Sequence, residues 1–184
     1  MTLDGTAPGE ETARDQTTTA AIDDDLVTIH VLGLPIAVQA RAQEHADELT
    51  RELTLIGAQL RQEGNIRDLP ARLVTLIEQL NARYSRFTTE QEQLLADATK
   101  RGDDTVDLTY QLPASAAAHA QELGDLLDQA DDYCRTGRHL LTLATPDDLV
   151  TFRRWYLAQF TDQVAGQPPV PWDTYLQRTG TSGQ

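Results

Sequence analysis

A repeated segment is the sequence feature that most constrains how this chain can fold. Residues 34–49 align with residues 112–127 at a shift of 78 positions, and eight of the sixteen aligned pairs are identical. That is more than chance matching of two alanine-rich helices gives. A shift of 76 positions then aligns Pro70 with Pro146 and Leu73 with Leu149. Because the matching pieces come in the same order in both halves, the sequence predicts a duplicated unit.

Each copy of the unit begins with the pattern of a strand and continues with that of a helix. Apolar and polar residues alternate over residues 26–32 and 105–112, which predicts two short strands. The strands of the two copies align only if the first has one extra residue, and Gly33 is a natural position for a bulge. After Pro35 and Pro113, apolar residues at steps of three or four predict amphipathic helices.

Three further helices complete the prediction. Asp68 and Pro70 start one, a short separate helix spans about 88–101, and the last begins at Thr145-Pro146-Asp147 with Thr145 as its N-cap. Residues 139–144 are either a short strand or an extended connector. The predicted fold class is α+β and predominantly helical, with about five helices and two or three short strands.

The duplication also predicts how the helices are arranged. A pseudo-two-fold axis would make the apolar stripes of the first and fourth predicted helices face each other, and Ala42, Ala116 and Ala120 would permit a close approach. The alternative is two similar amphipathic helices that each follow a Leu-Pro pair by coincidence.

The charge distribution separates a core from two tails. Residues 1–25 hold seven acidic residues and one arginine, and such a stretch cannot offset its ordering entropy by apolar burial, so a disordered acidic tail is predicted. Residues 26–172 form the predicted single domain, with repeat halves of about 26–102 and 103–172. Residues 173–184 are predicted to be a flexible tail.

Composition argues against several classes of partner and location. The net charge of −14 opposes nucleic acid or an anionic membrane as a partner. One cysteine excludes a disulfide framework, and no apolar run reaches the roughly 20 residues that span a bilayer. The first 20 residues resemble no signal peptide, so a cytoplasmic location is expected. Oligomeric state is not predicted.

No catalytic, cofactor-binding or metal-binding residue is predicted. Phosphate-binding glycine loops and nucleophile elbows are absent from the sequence, and the four histidines form no metal-ligand spacing. The spacing of Asp125, Asp128 and Asp132 puts them on one helix face, where they can hold a magnesium ion, but a solvated surface explains them better. Cys134 is expected to be a half-buried structural thiol.

The remaining candidates describe a surface for a protein partner. Tyr, Trp and Arg side chains dominate protein interfaces, although both tryptophans could equally complete the core and the arginines could pair with acidic residues. The candidate interaction surface comprises Asp125, Asp128, Asp132, Arg153, Arg154, Trp155 and Trp172.

Four stretches carry a resemblance to a known group of proteins: Leu-Gly-Leu-Pro at 32–35, Asp-Leu-Pro-Ala-Arg-Leu at 68–73, residues 105–113, and residues 140–146 followed by 152–157. Together they resemble small, mostly uncharacterised actinobacterial proteins associated with anti-sigma and stress-response regulators. The resemblance covers about residues 26–172 and implies a regulatory role, with no catalytic residues to carry over.

Two hypotheses of function follow. The first is a non-enzymatic cytoplasmic regulatory protein, which would offer its acidic helix to a partner with a basic surface, in sigma-factor or stress-response signalling. The alternative is a small ligand-binding protein or enzyme with its site between the repeat halves, where His45, Glu44 and Glu122 are the groups of interest. A deep cavity with convergent polar groups would favour the alternative, and a filled core the first.

Overall fold

The computed structural model describes residues 26–62, 69–135 and 144–180. Within these ranges the fold is α+β and mostly helical, as predicted, with a two-stranded antiparallel sheet. The predicted acidic tail, and most of the segment predicted as a strand or connector after Arg135, lie outside the described residues. The elements in chain order are β1 (Leu26–Pro35), α1 (Ile36–Gln62), α2 (Leu69–Arg101), β2 (Thr105–Pro113), α3 (Ala116–Arg135), α4 (Asp147–Val164) and α5 (Trp172–Thr179).

The two predicted strands pair with each other, and their register includes the predicted bulge. Val31 pairs with Leu108 and Leu34 with Val106, so two residues of β1 lie opposite Asp107. Gly33 occupies the bulge with a φ of 66°, a left-handed conformation that glycine adopts without strain. Its amide donates a hydrogen bond of 2.6 Å to Oδ1 of Asp107. The bulge therefore keeps the apolar side chains on both sides of it on the inner face of the sheet.

The register agrees with a two-fold relation between the strands. His30 pairs with Thr109, which is its counterpart when the strands of the two copies are aligned with the extra residue in the first. Equivalent residues of two antiparallel strands lie opposite each other only where a two-fold axis passes between them. The element order also agrees with a two-fold relation, because a strand followed by two helices occurs twice before α5. The duplication itself stays a prediction.

Both outer edges of the sheet are covered by glutamine side chains, which the sequence analysis did not predict. On β1, the amide of His30 donates to Oε1 of Gln163 at 2.9 Å, and Nε2 of Gln163 donates to the His30 carbonyl at 2.8 Å. On β2, Nε2 of Gln91 donates to the carbonyl of Thr109. These contacts satisfy backbone groups that a two-stranded sheet would otherwise leave without partners.

Replacing Gln163 by leucine is expected to lower the free energy of unfolding by about 1–3 kcal/mol, because a donor and an acceptor of His30 lose their partner. Urea denaturation of the full chain would measure this. Gln177→Leu, on an exposed position of α5, is the control and should change the free energy of unfolding by less than about 0.5 kcal/mol. Equal effects of the two substitutions would contradict a stabilising role for the edge contact.

Four helices enclose the interior as a ring. Helix α1 packs against α2 and α4, and α3 packs against the same two helices. Helices α1 and α3 therefore face each other diagonally, with only marginal contact in the described part of the chain, and the predicted close approach through alanines is not observed. Ala116 and Ala120 are buried in the core beneath the sheet, and Ala42 lies partly buried against it. The diagonal placement leaves space between the two predicted stripes.

The core has two parts. The larger lies between the inner face of the sheet and α4, and a smaller leucine cluster joins α1, α2 and α3. Trp155 is fully buried, and its indole donates to the carbonyl of Val170 at 2.7 Å, while its ring meets that of Trp172 at 5.1 Å. The segment before Trp172 thus packs back onto the core.

Three local predictions differ from the structure. The helix predicted to start at Asp68 and Pro70 and the short helix predicted over about 88–101 form one helix, α2, which packs along β2 and α3. Residues 172–179 form α5, although the sequence predicts a flexible tail from residue 173. Thr145 does not cap α4, since its hydroxyl donates to Asp131 instead.

Candidate functional site

A cavity of about 470 Å³ lies inside the ring of four helices, between the two predicted halves. A second cavity of about 610 Å³ adjoins it toward α2 and α3, and the two share part of their lining. We call the two together the central cavity. The volumes fall in the range of cavities that hold small organic ligands. The residues that line both parts are Gln43, Asn81, Thr88, Glu92, Tyr110, Leu123, Tyr156 and Leu157.

Two tyrosines form the polar centre of this lining. Tyr110 comes from β2, where the strand alternation turns it inward, and Tyr156 comes from the apolar stripe of α4. Their hydroxyl oxygens are 3.1 Å apart. Burial raises the pKa of Tyr110, and the neighbouring Tyr156 and Glu92 raise it further. Burial likewise raises the pKa of Tyr156, against the hydrogen bond to Tyr110. Both phenols are therefore neutral at physiological pH and serve as hydrogen-bonding groups rather than bases.

Helix α2 contributes an acceptor and a carboxylate beside the tyrosines. Gln91 is 6% exposed, and its Nε2 donates a hydrogen bond to the Thr109 carbonyl. Its Oε1 is buried and has no hydrogen-bond partner among the described residues. The next residue, Glu92, accepts a hydrogen bond of 2.8 Å from the Thr88 hydroxyl. The described part of the chain provides no ion-pair partner for Glu92.

A chain of polar contacts runs from the central cavity to the protein surface between α3 and α4. It begins at His45, whose Nε2 is 3.1 Å from the Thr145 hydroxyl oxygen. That hydroxyl donates to Oδ1 of Asp131 at 2.6 Å, so its oxygen accepts from the His45 ring N–H. Arg153 donates to Oδ2 of Asp131 at 2.7 Å and to Asp128 at 2.5 Å. The contacts fix the connection between α3, α4 and α1.

Asp131 is ionised at the centre of this chain. Burial opposes its ionisation, but the hydrogen bonds from Thr145 and Arg153 outweigh burial and lower the pKa of Asp131. Asp131 is only 4% exposed, and an aspartate is seldom so deeply buried unless a cation is paired with it. Asp131 therefore has a structural role, since it holds the charge of Arg153 inside the protein.

The three aspartates of the candidate interaction surface are engaged within the chain. Asp128 pairs with Arg153 and, at 3.2 Å, with Arg154. Asp125 accepts from Gln121, and Asp132 accepts from Arg135 at 3.3 Å. Of the two explanations for the arginines, contact with acidic residues is the one observed.

The remaining candidates lie in the core or on its margin. Trp155 and Trp172 are 0% and 8% exposed, so they complete the core rather than form an accessible surface. Cys134 is half-buried, as expected, and burial together with nearby Asp131 raises the pKa of its thiol. It is therefore not activated as a nucleophile.

The groups that the sequence associates with a site between the halves are separated by the structure. His45 lines the central cavity, whereas Glu44 and Glu122 are exposed and do not. Sequence reasoning did not single out Tyr110, Tyr156, Gln91, Glu92 or Asp131 as site residues. Tyr110 and Tyr156 occupy apolar positions of a strand and a helix, and the polar groups of α2 carry no motif.

Comparison with known protein families, curated proteins and solved structures finds no match to this chain. Within the described ranges, no three His, Cys, Asp or Glu side chains are arranged to hold a metal ion. In the same ranges, no helix has the length and apolar character needed to cross a membrane.

Proposed function

We propose that this protein binds a small, mainly apolar molecule in the central cavity. The observation that carries the proposal is the cavity itself, about 470 Å³ inside the helix ring with a further 610 Å³ adjoining. Cavities of this kind, apolar with a few convergent polar groups, are the usual form of a ligand site. The Tyr110–Tyr156 pair supplies such groups, surrounded by leucine side chains.

Binding without catalysis is the form of the proposal that the chemistry supports. The tyrosines have raised pKa values, and Asp131 is an ionised carboxylate committed to Arg153. Neither the two phenols nor Asp131 is a base poised near neutral pH, which general acid–base catalysis would need.

The regulatory role implied by the sequence resemblance stays a prediction. Of the acidic residues proposed for docking, Asp128 is paired with both Arg153 and Arg154, which reduces the charge available to a basic partner. A regulator that responds to a bound small molecule would reconcile the two hypotheses.

The full chain is expected to bind 1-octanol, and filling the central cavity should weaken that binding at least about tenfold, equivalent to about 1.4 kcal/mol. Leu123→Trp fills the cavity, since Leu123 lines both of its parts. Isothermal titration calorimetry measures the affinity, and circular dichroism establishes that the variant is folded.

Leu94→Trp is the matched control, because Leu94 lies on α2 at 44% exposure and lines neither part of the cavity. Where Leu123→Trp does not fold, Ala42→Leu reduces the same space from α1. The proposal is overturned if the native chain does not bind octanol, or if Leu94→Trp weakens binding as much as the cavity variants.

A further inference from the structure

We infer that the ligand of the central cavity carries a cationic, hydrogen-bond-donating head on an apolar body, as an alkylamine does. The inference rests on the proposed function and specifies the chemistry of the molecule that the site takes. Glu92 and the Tyr110–Tyr156 pair would contact the head, and the leucine-rich remainder of the cavity would contact the body.

Charge is the first argument. The charged side chains that line the two parts of the cavity, in the portion of the chain described, are Glu92 and Arg153, with His45 as a further titratable group. Arg153 is compensated by Asp128 and Asp131, at 2.5 and 2.7 Å. Glu92 has a neutral partner, the Thr88 hydroxyl. The uncompensated charge among these lining residues is therefore negative and belongs to Glu92, an exposed residue at the rim of the cavity. A cation is the ligand group that complements it.

The hydroxyl groups that line the cavity with Glu92 are the second argument. Tyr110 and Tyr156 line both parts of the cavity, and their hydroxyl oxygens are 3.1 Å apart. A protonated amine has up to three donors and no acceptor. It can donate to a carboxylate and to a hydroxyl oxygen together, which a carboxylate or ether head cannot.

Aromatic faces are the third argument. Tyr110 and Tyr156 line both parts of the cavity together with Glu92, and the Phe152 ring lies 6.0 Å from that of Tyr156. A cation within about 6 Å of such a ring is attracted by its quadrupole, and more strongly where water is excluded. Because both phenols remain protonated, one hydroxyl donates to the other and the pair adds no negative charge.

Three ligands with the same eight-carbon body and different heads test the inference: octylamine, 1-octanol and octanoate. The full chain at neutral pH is expected to bind octylamine at least about tenfold more tightly than octanol, and octanoate most weakly. Glu92→Gln should remove the preference for octylamine, so that octylamine and octanol bind with similar affinity. Glu90→Gln, an exposed position on the same helix that lines neither part of the cavity, should keep the preference.

The outcomes separate this inference from the proposed function. Equal affinity for all three ligands, or tightest binding of octanoate, overturns the cationic head while the cavity remains a ligand site. Loss of the amine preference in Glu90→Gln as well as Glu92→Gln also overturns it, because the preference would then reflect the overall negative charge. If none of the three ligands binds, the proposed function itself fails.

Discussion

Replacing Trp155 by alanine is expected to lower the free energy of unfolding by about 3–5 kcal/mol, the range for removing a buried aromatic side chain. Trp155 has no exposed surface and joins three aromatic rings, those of Phe152, Tyr156 and Trp172. Its loss leaves a cavity between α4 and the segment that precedes α5, and the Val170 carbonyl loses its donor. Urea denaturation followed by circular dichroism measures the change.

Two further variants make the Trp155 result specific. Trp155→Phe keeps most of the ring and removes the hydrogen bond to Val170, so a smaller loss, about 1–2 kcal/mol, is expected. Leu26→Ala removes a side chain that is 55% exposed and should change the free energy of unfolding by less than about 0.5 kcal/mol. A Trp155→Ala loss no larger than that of Leu26→Ala would favour the alternative in which the tryptophan belongs to an accessible surface.

The sequence predicts much of the fold because most of its signals are local. Strict alternation identifies β2, since a side-chain period of two places Leu108, Tyr110 and Leu112 on one face. The repeat adds information that no single segment has. It requires one extra residue in the first strand, and this places the bulge at Gly33 before any pairing is known.

Predictions were wrong where tertiary contacts override a local signal. Thr145 before Pro146 has the residue type and spacing of an N-cap, but the buried carboxylate of Asp131 is a stronger acceptor for its hydroxyl. The stretch from Ser85 to Thr89 is weakly helical by propensity and continues α2 because the helix packs along β2 and α3. Packing on the core, with Trp172 as anchor, similarly orders α5.

The candidate site was less predictable than the fold. Its residues come from α1, α2, β2, α3 and α4, and no spacing within one element brings them together. Asp131 is close in sequence to the aspartates that share an exposed helix face, so the sequence does not distinguish it from them. It becomes the buried partner of Arg153 only because α4 packs on α3. The alternative hypothesis of a ligand site between the halves could be formed from the sequence, because the repeat predicts the halves.

Replacing Asp131 by asparagine is expected to lower the free energy of unfolding at neutral pH by about 3–5 kcal/mol, the range for removing one partner of a buried ion pair. Arg153 would keep its positive charge at 13% side-chain exposure with only Asp128 opposite it. Asparagine preserves the size of the side chain, so the effect reports the charge. Asp132→Asn is the control, because the Asp132 side chain is 80% exposed and its loss should matter by less than about 0.5 kcal/mol.

The pH dependence of stability distinguishes lost charge from lost packing at Asp131. Since folding lowers the pKa of this carboxyl, its contribution is present above the unfolded-state pKa, about 3.9, and is lost as the pH falls through the lower folded-state value. The native chain should therefore lose stability below about pH 4 more steeply than Asp131→Asn, which has no proton to gain there. Denaturant midpoints at several pH values between neutral and acid measure this difference. Parallel acid profiles for the two proteins would show that Asp131 is not the ionised partner of Arg153 in solution, because a carboxylate held by a buried guanidinium cannot be protonated without a loss of stability.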